Sequence, residues 1–387
     1  MKPVFLFAVR VCTSTSETLF VTEAAAGSVG AHKPKLGFRK KIVFALVPAL
    51  VLLFSVEGGL RLAGWPTQRV RTLGKLLNFD PATFERSVGM FEPGVTRTIA
   101  WPPELAYEVR INRLGLRGPA VGVVPVPGIT RILVLGDSTA FGFYVAEKET
   151  FPAHLQDRLT GMGRKVEVVN GGCGGWTITS QLRFYRERAV RLNPALVVLL
   201  FCNNDVVELD RPTGIYDVQK ESLGRQRNRW RKFLYRTALY ELHMRLRISW
   251  KRARQKLSGE PPHPLGGGES ALPPERLDQL WEEYGQWLAR LRDLLAERST
   301  PLLLVYQPDP HRFCEGRASP EEQRLAAICR SVGVPFCSAV PAFEAHRDLK
   351  LFHAPLDAHP ASAGYRLMAE TTSRFLVEQG LLPGDAH

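Results

Sequence analysis

The 387-residue sequence has no C-x-x-C pair and no cysteine–histidine spacing of a zinc site, which removes the common structural-zinc folds. Its six cysteines are Cys12, Cys173, Cys202, Cys314, Cys329 and Cys337. They read as buried free thiols, with one bridge among Cys314, Cys329 and Cys337 open to an exported domain. No G-K-[ST] element and no G-x-G-x-x-G opening a helix is present, so nucleotide binding has little support. Acidic residues are almost missing from one stretch. Between Arg225 and Lys256, twelve Lys or Arg face a single acid, Glu241, which is +11 of the net +13. The excess charge therefore belongs to one segment, and with no recognised nucleic-acid module beside it, nucleic acid is not an expected partner.

Long apolar runs are scarce as well. The longest charge-free one, Ile42 to Val56, has 15 residues, and the apolar character resumes through Leu60, Leu62, Ala63 and Trp65 around Glu57 and Arg61. A bilayer core takes about 20 helical residues, so 42–64 is expected to be a transmembrane anchor at the short end of the range. Arg39, Lys40 and Lys41 place its N-terminal side in the cytoplasm and the rest of the chain outside. A signal peptide fits less well, because the run starts after 41 residues and no small-x-small site follows. A buried soluble helix is the third reading. Residues 1–41 are expected to be a disordered cytoplasmic tail.

Residues 65–129 carry many prolines and short apolar stretches, and form a lead-in that packs on the main domain; within it, 107–112 alternates like an edge strand. From residue 130 the pattern becomes regular. Short apolar runs at Ile132–Leu135, Lys165–Val169, Ala195–Phe201, Pro301–Tyr306 and Pro335–Val340 predict strands buried on both faces. Between and after them, helical periodicity marks Phe151–Met162, Thr179–Leu192, Pro274–Arg298, Pro320–Val332 and Ala361–Glu378. Alternating βα units predict an α/β fold: a five-stranded parallel sheet between two helical layers, over residues 130–380. Ligands of such sheets sit at the carboxyl ends of the strands.

Residues able to do chemistry gather at those ends. The first strand runs into Gly136-Asp137-Ser138-Thr139, placing a serine on the strand-to-helix loop. It is a nucleophile or merely a helix cap. The second ends in Asn170-Gly171-Gly172-Cys173-Gly174-Gly175-Trp176, where glycine lets a backbone N–H approach a ligand, or simply makes a tight turn. The third ends in Cys202-Asn203-Asn204-Asp205, and an asparagine there can donate to developing negative charge. Before the last helix come Asp357 and His359, a carboxylate and a base two residues apart. Each is ordinary alone. Together, in order, they supply what acyl transfer requires.

These blocks resemble the SGNH, or GDSL-like, hydrolase superfamily. Gly136-Asp137-Ser138 matches its nucleophile block, and Asn170 with Gly175 its second block, with Gly172 as the fallback. Asn204-Asp205 matches the third block and Asp357 with His359 the last. The sequence departs from the pattern twice. Cys202 stands where the third block has glycine, and the acid–base pair is spaced D-x-H rather than D-x-x-H. The α/β-hydrolase fold is the alternative, since Gly136 to Ala140 fits a loosened nucleophile elbow. Against it, Ser138 follows the first strong strand and Asp357 shares a loop with His359.

The resemblance implies a flavodoxin-like three-layer sandwich with catalytic Ser138, His359 and Asp357. The Ser138 and Gly175 N–H groups and the Asn204 side chain would form the oxyanion hole, with no metal or cofactor. The expected substrate is a short-chain acyl or acetyl ester of a carbohydrate or lipid. Acyl transfer to an envelope polysaccharide and non-catalytic binding are the alternatives. The basic insertion at 206–274 interleaves Trp230, Phe233, Tyr235, Tyr240, Leu246 and Trp250 with Arg and Lys. It fits an anionic membrane surface or packing against the domain.

Overall fold

The computed structural model describes residues 38–64, 87–99, 105–210, 237–258 and 272–382. Residues 1–37 of the tail expected over 1–41, 65–86 and 100–104 of the lead-in, and 211–236 and 259–271 of the insertion lie outside the described residues, while Phe38 to Lys41 of that tail are helical.

The centre is a five-stranded parallel sheet. Its strands are β3 (Thr130–Gly136), β4 (Val166–Asn170), β5 (Leu196–Phe201), β6 (Leu302–Tyr306) and β7 (Phe336–Ser338), in spatial order β4-β3-β5-β6-β7. Ile132 pairs with Leu196 and Val197 with Leu302, so the three central strands form one register. Every residue of β5 and β6 is buried. That explains their unbroken apolar runs, since both faces are covered and no polar alternation is required.

The faces are covered by different helices. Leu133, Leu135, Val197, Leu199, Leu302 and Leu304 pack with α4 (Ile178–Glu187), α7 (Pro274–Ala296) and α9 (Pro320–Val332). Ile132, Val134, Val198, Leu200, Leu303 and Val305 pack with α3 (Phe151–Gly161) and α11 (Ser362–Glu378). The result is the expected three-layer α/β/α sandwich. Short helices α2 (Ser138–Phe141), α5 (Asn204–Val207), α8 (Pro310–Cys314) and α10 (Val340–Glu344) lie in the loops that follow β3, β5, β6 and β7.

Some elements differ from the sequence expectation. The helix predicted over Thr179–Leu192 stops at Glu187, because Arg188 leaves helical geometry (φ −134°) and its guanidinium bonds the Ser87 and Gly89 carbonyls. A 3₁₀ turn follows and ends at Asn193 in the left-handed region. The last strand ends at Ser338, whose Oγ accepts the Val340 N–H and starts α10. The strand expected at 107–112 is β2 (Tyr107–Arg110), paired antiparallel with β1 (Thr96–Ile99) in a separate two-stranded sheet. Tyr107, Val109, Ile111, Leu116 and Phe91 join the core on the α4 and α7 side. The five described cysteines are free thiols, so no bridge joins Cys314, Cys329 and Cys337.

The apolar run near the N-terminus lies in helix α1 (Phe38–Leu62), with Phe44, Val51, Leu52 and Phe54 exposed. Among the described residues, no helix is long and apolar enough to cross a membrane. The side chains of 38–43 and of Ala45, at the N-terminal end of that run, lie outside the described set. Within the insertion, helix α6 (Ala238–Ser258) is described. Its first amides, those of Ala238 and Leu239, donate to the Glu57 carboxylate at 3.0 and 2.9 Å.

Candidate active site

The serine loop is built to make a sharp turn out of β3. Gly136 sits at φ +153°, and a Cβ there would come within 2.8 Å of the Leu200 carbonyl oxygen, so the strand can exit beside β5 only with glycine. Asp137 caps the next turn by accepting the Thr139 N–H at 2.8 Å. Ser138 therefore opens α2 half-exposed, above fully buried strand ends.

Across the sheet end lies the loop between α10 and α11. His359 reaches over it and places Nε2 2.7 Å from Ser138 Oγ. Its Nδ1 bonds Asp357 Oδ1, and the same oxygen accepts the His359 backbone N–H at 3.0 Å. The short D-x-H spacing has a physical basis here. One carboxylate oxygen closes a turn on the main chain and holds the imidazole at once, which a residue two positions upstream is placed to do. Burial works to raise the Asp357 carboxyl. The His359 side chain and backbone and the Tyr144 hydroxyl, all bonded to it, outweigh burial and hold it below the usual carboxylate range.

The third segment joins through Asp137. Asn204 Nδ2 donates to Asp137 Oδ2 at 3.2 Å, and Ser138 Oγ lies 3.2 Å from the same oxygen. Cys202, where the superfamily pattern has glycine, is buried with Sγ 2.9 Å from Thr139 Oγ1. Burial, with Asp137 and Asp205 nearby, pushes its thiol well up, so it stays neutral. Asp205 is also buried; burial and Asp137 raise its carboxyl, while its Oδ2 accepts the Cys202 N–H at 3.1 Å.

The two glycine candidates behave differently. The Gly172 N–H is already used by Asn170 Oδ1 at 2.9 Å, and a Cβ on Gly172 would fall 2.2 Å from the Phe141 nitrogen. Its place is set by packing. Gly175 is exposed at φ +79° with open space around it, and among the described residues it makes no hydrogen bond to Ser138 or His359. So Ser138, His359, Asp357 and Asn204 meet directly or through Asp137, and Gly175 stands apart on its loop.

A sequence comparison matches residues 134–367 to the model of the GDSL-like lipase/acylhydrolase family. The chain belongs to that family. It is therefore an ester hydrolase, and the matched span runs from β3 through the His359 loop into α11. A comparison with curated proteins gave no match. Solved structures with a likeness include TesA (18% identity, 65% of this chain and 100% of that one, TM-score 0.39). Others are a lipase/acylhydrolase from Enterococcus faecalis (13%, 65% and 97%, 0.39) and an acetyl xylan esterase (12%, 64% and 99%, 0.37). The family membership rests on the match over 134–367 and not on these scores.

Three residues at this site carried no signal in the sequence. Phe143 stacks on the His359 ring at 5.0 Å and 24°. Tyr144 meets it edge-on at 5.3 Å. His353 lies beneath the loop, and its N–H donates to the His359 carbonyl at 3.0 Å. None belongs to a periodic pattern or a motif, and only the folded chain brings them to His359.

Proposed function

We propose that the chain is a membrane-tethered serine esterase. It cleaves short-chain acyl or acetyl esters of a carbohydrate or lipid with Ser138, His359 and Asp357. The observation that carries this reading is the 2.7 Å approach of His359 Nε2 to Ser138 Oγ, with Asp357 bonded behind the ring. Ser138 Oγ attacks the ester carbonyl while His359 takes its proton, and Asp357 holds the Nδ1–H tautomer and steadies the imidazolium. The tetrahedral oxyanion is met by the Ser138 and Gly175 N–H groups and the Asn204 amide. Gly175 is favoured over Gly172, whose N–H is occupied. Collapse expels the alcohol, which receives the His359 proton. Water, activated by the same imidazole, then frees the acid.

The tether reading is supported by the charge-free run from Ile42 to Val56 behind Arg39, Lys40 and Lys41. It puts the esterase outside the cytoplasm. Helix α6 starts against Glu57, the residue that follows that run in the chain, and its segment carries twelve Lys or Arg between Arg225 and Lys256, a composition suited to an anionic surface.

A fluorophosphonate probe tests the chemistry. The reading expects one adduct, on Ser138, loss of labelling in Ser138→Ala, and at least about a 10⁴-fold fall in aryl-ester hydrolysis with unchanged circular dichroism. An unlabelled native chain would sink catalysis and leave binding only. Acyl groups appearing on an added glycan instead of in water would turn hydrolysis into transfer.

A further inference from the structure

The segment after α2 has an uncommon backbone. Gly142 turns into the left-handed region at φ +89°, where glycine is at ease. Tyr144, two residues on, is also left-handed at φ +64°. A bulky aromatic residue adopts that conformation only when its surroundings impose it.

The imposing group is Arg117, from the lead-in. Arg117 is 2% exposed, and its guanidinium lies over the Tyr107 and Phe141 rings. Nη1 donates to the Phe141 carbonyl at 2.9 Å and to that of Gly142, and Nη2 donates to that of Val145 at 2.8 Å. One guanidinium thus holds three carbonyls on both sides of Tyr144. The Phe143 N–H is tied to the Ser138 carbonyl at 3.2 Å, which links the segment to the nucleophile.

This arrangement sets two rings on one imidazole. Phe143 lies nearly parallel to His359, and Tyr144 meets it at 77°. Tyr144 also packs edge-on to His353 at 5.9 Å, and its hydroxyl bonds the Asp357 carboxylate. We propose that Phe143 and Tyr144 are positioning residues for ester cleavage, a clamp that Arg117 holds in place and that fixes the His359–Asp357 pair in register with Ser138. The inference rests on the triad reading above.

The clamp answers a need that the D-x-H spacing creates. With D-x-H spacing, Asp357 and His359 ride on one tight turn, so the pair can tilt as a unit without breaking its own bond. Rings from a different segment stop that tilt, and the Tyr144 hydroxyl gives Asp357 a donor that does not move with His359. The Phe143 face also favours the imidazolium as it forms, since aromatic faces attract cations.

The test compares Tyr144→Phe and Tyr144→Gly with the full native chain. In all three, fluorophosphonate labelling of Ser138, aryl-ester kinetics against pH and thermal melting are measured. Tyr144→Phe is expected to lower kcat between about 10- and 100-fold with KM nearly unchanged. It should also move the acid limb of kcat/KM to higher pH, because a carboxylate that loses a donor holds the His359 proton more tightly. Tyr144→Gly relieves the left-handed strain but removes a ring packed on Tyr107, Phe143, His353 and His359, so it should melt lower than the native chain and lose at least as much activity as Tyr144→Phe. A merely structural Tyr144 gives an unmoved limb in both variants, with activity falling only as far as melting does. Native labelling with Tyr144→Phe equal to it in kcat and limb overturns the clamp alone. A native chain that is not labelled removes the triad reading, and the clamp with it.

Discussion

The loops at the carboxyl end of the sheet and helix α6 use the same kinds of residue to opposite ends. At the sheet end, polar side chains are tied to one another: Ser138 to His359, His359 to Asp357, Asn204 and Ser138 to Asp137. Around them, aromatic rings are packed on partners. On α6, Leu246, Trp250 and Leu257 are 61%, 62% and 87% exposed. Four and seven residues apart, they share one helix face, among exposed Arg247 and Arg254. Chemistry comes from groups whose freedom has been removed by neighbours. The α6 stripe shows the opposite, apolar area left exposed.

The comparison is tested hardest at its tightest point. Asp357→Asn keeps shape and removes charge, and leaves the His359 tautomer unspecified. Aryl-ester kcat is expected to fall about 10²–10⁴-fold with little change in melting. A fall below about fivefold would mean that His359 is oriented by other groups, and the tied network would lose its centre.

The next effect tests burial beneath the site. His353 is 8% exposed, and among the described residues neither ring nitrogen has a hydrogen-bond partner. Burial, Lys350 and His359 lower its pKa, against the opposing pull of Asp357, to about 4. The unfolded chain binds this proton near pH 6.5, and the folded chain only near 4. Between those values the unfolded state carries the extra proton, so stability is lost as pH falls from 6.5 to 4, by at most about 3 kcal/mol. Melting temperature measured across that range should drop in the native chain and be flatter in His353→Leu. Equal slopes would show that the buried imidazole is not the source.

The sheet was legible in the sequence because its strands are buried on both faces, and continuous apolar runs such as Leu196–Phe201 have few other homes. Ser138, Asn204 and His359 were legible for a topological reason. Ligands collect at strand ends, and the motifs stood there in order. The break at Arg188 was hidden, since it depends on carbonyls of Ser87 and Gly89, about a hundred residues away in the chain. The difference between Gly172 and Gly175 was hidden as well, being one of packing against Phe141 and not of spacing. Tyr144 was the least readable of all. Nothing in an aromatic residue announces a positive φ, and the cause, Arg117, lies in a different segment.

The smallest effect is expected on α6, and its smallness is what gives it meaning. Trp250 is 62% exposed and touches Arg254, one turn on, at 5.8 Å. Replacing Leu246 and Trp250 together by alanine should shift stability by less than about 0.5 kcal/mol, because mostly exposed side chains lose little burial. Hydrolysis of a soluble aryl ester should stay within about twofold for the same reason. If either changes strongly, α6 packs on the domain and the two regions are alike after all. The distinction then appears at a bilayer. With the full chain reconstituted in vesicles, an environment-sensitive dye on Trp250→Cys should shift to the blue with anionic lipid and not with neutral lipid. The shift should fade in about 1 M salt, where screening acts over roughly 3 Å. A shift that ignores both lipid charge and salt would leave the stripe apolar but not membrane-seeking. The basic residues beside it would then serve solubility alone.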